Sequence, residues 1–268
     1  MINSQKDIEN KRSINNILGD LEKLTDFLLS GENNPRKNLA ICQNCHLNES
    51  DYSLVFYRKE LLKQKPFPLV FISRDPNLKV EKEVSSTNQA IINLKTPPPK
   101  KGLGWFFNDF LTINCLWSRF LEFLKNPNNE SRFYWTHLVK CYAKNSQEEV
   151  QKAKNFCKNY LSEELKQLDP KLIIGAGLDV ARVLVEIGYL QANKDNLRFE
   201  NLQPINEKTL EGRERIIIIP HPSQSPYQTW KNGCFKIGIT HKELTELIKK
   251  VVSDNTNCPQ AVSGEIIL

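Results

Sequence analysis

Leu18, Leu21, Leu24, Phe27, Leu28 and Leu29 recur at spacings of three and four near the start of the chain, the pattern of one apolar helix face ending near Ser30-Gly31. Four short apolar runs follow at wide intervals: Leu69–Ser73, Phe133–Leu138, Leu172–Gly175 and Ile216–Ile219. Each is continuous rather than alternating, so each predicts a strand buried on both faces. Helical spacing fills the intervals, over Phe107–Lys125, Glu148–Leu168 and Leu178–Ile187, and returns over Ile239–Val252 after the last run. Alternation of strand and helix predicts a parallel sheet covered on both faces. Ligands of such sheets bind beyond the carboxyl ends of the strands, so the residues just after each run are the first candidates for chemistry.

Two polar stretches interrupt this order: Ser85–Lys101, with Pro97-Pro98-Pro99, and Asn193–Glu214. The chain is therefore divided into an N-terminal helical segment (1–37), a main domain (38–252) and a C-terminal tail (253–268). At 268 residues, 40% hydrophobic and 25% charged, it has the composition of an ordinary globular protein rather than a fibrous or wholly disordered one. A net charge of +6 is compatible with a polyanionic partner without requiring one. The longest aliphatic run, Ile216–Ile219, is far short of the ~18 residues of a membrane span, so no membrane association is expected. Met1–Ser13 is polar, with no apolar stretch behind it, which predicts a cytoplasmic protein. In a reducing compartment the seven cysteines, with Cys42-x-x-Cys45 among them, lean toward metal or redox chemistry rather than disulfides.

After the four predicted strands come Arg74-Asp75-Pro76-Asn77, Val139-Lys140-Cys141, Gly175-Ala176-Gly177 and His221-Pro222-Ser223. Any one of these dipeptides is an ordinary turn or strand terminator. Together they bring a carboxylate, a cysteine, a glycine turn and a histidine to one rim.

The order Cys42-x-x-Cys45, Ser73-Arg74-Asp75-Pro76-Asn77, Phe133-Tyr134-Trp135-Thr136-His137-Leu138-Val139-Lys140-Cys141, Cys157, Gly175-Ala176-Gly177, Pro220-His221-Pro222-Ser223 resembles the uracil-DNA glycosylase superfamily over about residues 38–250. It is most similar to the iron-sulfur (family 4) branch. The resemblance implies a three-layer αβα sandwich around a four-stranded parallel sheet, and a hydrolase that removes uracil or another damaged base from DNA. In that branch a C-x-x-C, the cysteine of a T-N-x-V-K-C segment and a fourth about fifteen residues on hold a 4Fe-4S cluster. Cys42, Cys45, Cys141 and Cys157 match one by one, with fifteen residues between the last two. Four thiolates suit an iron-sulfur cluster or, alternatively, zinc, and plain buried thiols are the remaining reading. Cys115, Cys234 and Cys258 match nothing and are expected to be packing or surface thiols.

The first motif departs from the G-E-A-P-G of the iron-sulfur branch and is similar to the G-Q-D-P-Y of the classical branch, whose aspartate aligns with Asp75. Breaking the C1′–N bond calls for a carboxylate facing the developing sugar cation and a donor facing the charge on the leaving base. The resemblance assigns these roles to Asp75 and His221. Phe107, in Gly104-Trp105-Phe106-Phe107, is the candidate to stack on a flipped base, with Pro76 and Asn77 beside it, although an aromatic at a helix start also suits the core. Ser223, Ser225 and Tyr227 are candidates for DNA contact. His137 stands where the family has the asparagine that reads uracil, and one imidazole cannot supply that amide's paired donor and acceptor. Two further readings therefore stand beside a monomeric glycosylase acting on DNA: a catalytically silent nucleic-acid-binding protein on the same scaffold, and a cluster-bearing redox protein.

Overall fold

A computed structural model describes residues 13–23, 39, 42–47, 56–76, 102–141, 143, 146–193, 196–199, 215–235 and 237–253. Helix α1 covers residues 13–23, and the rest of the N-terminal helix expected from the sequence, together with Asn77, Cys258 and the C-terminal tail, falls outside the described residues. A 3₁₀ turn at Lys59–Lys63 leads into β1 (Leu69–Ser73). Then come α2 (Gly104–Phe106), which runs into a π-helical turn at Phe107–Thr112, α3 (Leu116–Lys125), β2 (Phe133–His137), α4 (Gln147–Leu168), β3 (Leu172–Ala176), α5 (Leu178–Glu186), β4 (Arg215–Ile219), α6 (Ser225–Lys231) and α7 (His241–Val252).

The four strands pair in parallel in the order β2-β1-β3-β4, forming the α/β sandwich with helices on both faces that the sequence predicts. All five positions of β1, β2 and β3 are buried, which is why their sequences show no alternation. Aromatic rings fill one side of the sheet: Phe71 stacks on Phe106 at 3.9 Å between ring centroids, and Phe107 stacks on Trp117 at 4.4 Å. Against β3, α5 lies so close that a Cβ on Gly175 would stand 2.7 Å from Ile218 Cδ1 and 3.0 Å from Val180 Cγ1. Any larger residue there would have to displace Ile218 Cδ1 of β4 and crowd Val180 of α5.

One helix departs from the sequence pattern. The apolar stripe predicts a single helix over Phe107–Lys125, whereas the chain widens into the π turn and then breaks at Cys115, which takes a left-handed φ of 56°. Asn114 supports the break by donating its side-chain amide to the Phe110 carbonyl at 2.6 Å. Helix α4 begins where Ser146 caps the Glu149 N–H, and α7 begins with a reciprocal Thr240–Glu243 capping box.

Because β1 lies at the centre and the chain moves first to β2 and later to β3, the connections leave the sheet in opposite directions between β1 and β3. Parallel sheets open a crevice at such a switch point. Asp75 follows β1 there, and Gly177 follows β3.

Candidate active site

The rim is built outward from the end of β1. Ser73 and Arg74 accept the Leu138 and Val139 N–H groups at 2.8 and 2.9 Å, so β1 and β2 stay paired past their formal ends. That holds Arg74 beside the segment leading to Cys141. The Asp75 side chain is only 5% exposed, and its Oδ1 accepts the Arg74 Nε–H at 2.5 Å. Arg74 Nη1 donates to Gln147 Oε1 at 2.8 Å, and Gln147 donates in turn to Asp179 Oδ2 at 3.0 Å. Burial pushes the Asp75 carboxyl above its ordinary pKa, against the opposing pull of the Arg74 guanidinium.

His221 follows β4, half-buried, with its Cβ 3.6 Å from where a Cβ on Gly177 would stand. Gly177 has φ +93°, so this turn against the histidine requires glycine. The backbone N–H of Ser223 points at His221 Nδ1 at 3.3 Å, and Ser223 Oγ lies 2.6 Å from the same nitrogen. A backbone N–H can only donate, so Nδ1 is the acceptor and the neutral ring carries its proton on Nε2. Burial, assisted by Arg74, lowers the imidazole pKa to about 4. At neutral pH His221 is therefore an uncharged N–H donor. Arg74 lies directly against Asp75, and its positive charge also disfavours protonation of His221.

His137, 1% exposed at the end of β2, places Nδ1 2.7 Å from Ser73 Oγ, which also accepts Trp135 Nε1–H at 3.1 Å. The indole donates to Ser73 Oγ, and the serine hydroxyl and His137 Nδ1 share the second hydrogen bond. His137 Nε2 is buried with no partner among the described residues. Burial holds His137 well below the ordinary histidine pKa. Pro76 is buried beside Asp75.

Phe107 is buried, its ring stacked on Trp117 and edge-on to Trp135 at 5.1 Å, so it belongs to the aromatic core that backs this end of the sheet. Ser223 and Ser225 are exposed on the rim. Tyr227 corrects the sequence expectation. It is fully buried, stacked parallel to Trp105, and its hydroxyl donates to Asp109 at 3.2 Å, so it faces the core and not a DNA backbone.

Cys42, Cys45, Cys141 and Cys157 line one pocket with Leu47, Val139, Ala153 and Phe156. The 42–47 turn is fastened to α4 by a 2.6 Å His46–Glu149 contact. Burial, reinforced by the neighbouring sulfurs, pushes the Cys42 thiol up to about 12 and that of Cys157 well above its usual value. Four sulfurs on one pocket are the donor set that soft metals and iron-sulfur clusters prefer. No group of three or more His, Cys, Asp or Glu among the described residues is arranged to hold a single metal ion. Of the remaining cysteines, Cys234 is an exposed thiol as expected, whereas Cys115 is disulfide-bonded, contrary to expectation.

Two features escaped the sequence reading. One is the Arg74–Gln147–Asp179 chain, which joins residues from three separate elements and leaves no local pattern. The other is a buried ion pair, Lys140 with Glu164, whose members also meet Thr136, at 2.5 Å from Lys140 Nζ, while Tyr134 donates to Glu164 at 2.8 Å. Glu164 was visible in principle: it falls three and four residues from Leu161, Tyr160 and Leu168, on the apolar stripe of α4.

Asp75 and His221 follow two strands of this parallel sheet, at the carboxyl end where open α/β sheets bind their ligands. Residues 68–242 match the family model of the uracil DNA glycosylase superfamily, and the chain belongs to that superfamily. No curated protein matches the chain.

Proposed function

We propose that the chain is a DNA glycosylase that hydrolyses the bond between C1′ and a damaged base, uracil among the candidates. One observation carries this reading: Asp75, buried after β1 and held by the Arg74 Nε–H, and a neutral His221 after β4, its Cβ against the Gly177 turn that follows β3, stand at the carboxyl ends of strands of one parallel sheet. Water adds to C1′ as the C1′–N bond breaks, and the bond's electron pair leaves with the base. Asp75 faces the sugar cation and takes the proton of the attacking water, while His221 Nε2–H donates to the base oxygen on which charge collects. A neutral donor suits an anion that must also depart. Cys42, Cys45, Cys141 and Cys157 would hold a 4Fe-4S cluster, with zinc as the alternative. Such a cluster supplies a closed structural cross-link between the 42–47 turn and α4. No helix among the described residues is long and apolar enough to cross a membrane, and the reading is of a monomer acting on DNA in the cytoplasm.

The test is to incubate anaerobically purified protein with end-labelled oligonucleotides carrying uracil, hypoxanthine or a mismatch, then treat with alkali. Asp75→Asn and His221→Ala are each expected to lower base release by about a hundredfold or more in folded protein. Unchanged cleavage in both variants rejects these roles.

The second reading, a silent DNA-binding protein, is favoured by His137, whose ring offers one donor where a two-point amide contact is absent. It predicts salt-sensitive DNA binding without alkali-labile product on any substrate.

A further inference from the structure

Of the two Asp75 oxygens, only Oδ1 has a partner among the described residues, the Arg74 Nε–H at 2.5 Å. Arg74 is in turn held from its far side. Gln147 accepts from its Nη1, Gln147 and Gln151 each donate to Asp179 at 3.0 Å, and Arg182 meets Asp179 at 3.1 Å. Gln147 and Gln151 lie one turn apart at the start of α4, and Asp179 and Arg182 one turn apart at the start of α5. Two helices thus frame a single guanidinium. An exposed ion pair between neighbouring residues fixes little, because two mobile side chains must be ordered in water. Here the carboxylate is buried and the planar fork is held at two points, which a lysine's point charge cannot copy.

We propose that Arg74 is a positioning residue for base excision, pinning Asp75 through Oδ1 so that Oδ2 is the oxygen presented to the substrate. The inference rests on the glycosylase reading of the site. The charged groups that act on Asp75 are Arg74 on its own loop and Asp179 from α5. Of these, only Arg74 is a fixed cation that opposes the effect of burial on the carboxyl.

The test compares pH profiles of base release for the wild type, Arg74→Gln, Arg74→Lys and Gln147→Leu, each checked for folding by circular dichroism. It also follows the Asp75 carboxyl by carbon NMR, identified by its loss in Asp75→Asn. Arg74→Gln is expected to lower kcat by roughly ten- to a hundredfold with KM little changed, and to move the acid limb and the carboxyl titration up by about one pH unit. Arg74→Lys returns the limb toward the wild-type position without restoring the rate, and Gln147→Leu gives a smaller loss in the same direction. A carboxyl titration unmoved in folded Arg74→Gln overturns the proposal. So does a rise in KM with kcat intact, which would make Arg74 a plain DNA contact. If wild-type protein releases no base from any substrate, the glycosylase reading fails, and the carboxyl titration still decides whether Arg74 governs Asp75.

Discussion

At the strand-end rim, charges are answered from within the chain: Arg74 meets Asp75 and Gln147, Asp179 meets Gln151 and Arg182, and Ser223 fixes the His221 tautomer. The cysteine pocket, lined by the 42–47 turn, residues 139–141 and α4, is built differently. Its walls are Leu47, Val139, Ala153 and Phe156, and Lys140, the cation that lines it, is committed to Glu164 and Thr136. The thiols of Cys42 and Cys157 are accordingly driven away from ionisation, whereas Asp179 at the rim is held below the ordinary carboxylate range by its hydrogen bonds and by the neighbouring arginines, which outweigh burial. The rim is preorganised by protein groups alone. Ionising the pocket's thiols would take a bound cation, since metal binding is what releases thiol protons.

The sharpest way to break this comparison is to remove one wall of the pocket. Cys157→Ser is expected to abolish the visible absorption and bound iron of anaerobically purified protein and to lower its melting temperature, while Cys234→Ser changes neither. Iron content unchanged in Cys157→Ser would mean that the pocket holds no cluster.

The next largest effect concerns the link between the two regions. Lys140 and Glu164 are almost wholly buried, so removing one member leaves an uncompensated charge, at a cost of about 3–5 kcal/mol. Glu164→Gln is expected to lose that much in urea unfolding, and the double change Lys140→Met with Glu164→Leu to recover most of it. If the single variant costs under about 1 kcal/mol, the pair behaves as a surface bridge and does not tie rim to pocket.

How far the sequence reveals each region follows from the same distinction. The strands were legible because burial on both faces writes continuous apolar runs, and β1 and β4 run over Leu69–Ser73 and Arg215–Ile219 close to the pattern. The residues at the strand ends were legible as a set because topology gathers them. What stayed hidden was side-chain pairing across elements. Gln147 and Asp179 look like ordinary polar helix positions until α4 and α5 are placed over Arg74. Tyr227 was misassigned because Ser225-Pro226 resembles a loop; proline in the first turn instead opens α6, and Tyr227 and Trp230, three apart, form its apolar face. The break at Cys115 was hidden because its apolar spacing continues unbroken through the π turn.

The smallest expected effect separates the two histidines from the pocket by pH alone. Both His137 and His221 have pKa values depressed in the folded protein, well below normal for His137 and to about 4 for His221. A base with a depressed pKa stabilises the fold above its unfolded pKa of about 6.5, and that contribution is lost as pH falls and only the unfolded chain takes up the proton. Each histidine adds up to about 1.4 kcal/mol of lost stability per pH unit below 6.5. The half-exposed His221 contributes less than the fully buried His137 because solvent screens it. Urea unfolding at pH 7.0, 6.0 and 5.0 should therefore show stability falling toward acid, and His137→Asn should remove about one proton's worth of that slope. An unchanged slope in His137→Asn would mean that this ring is protonated in the folded state.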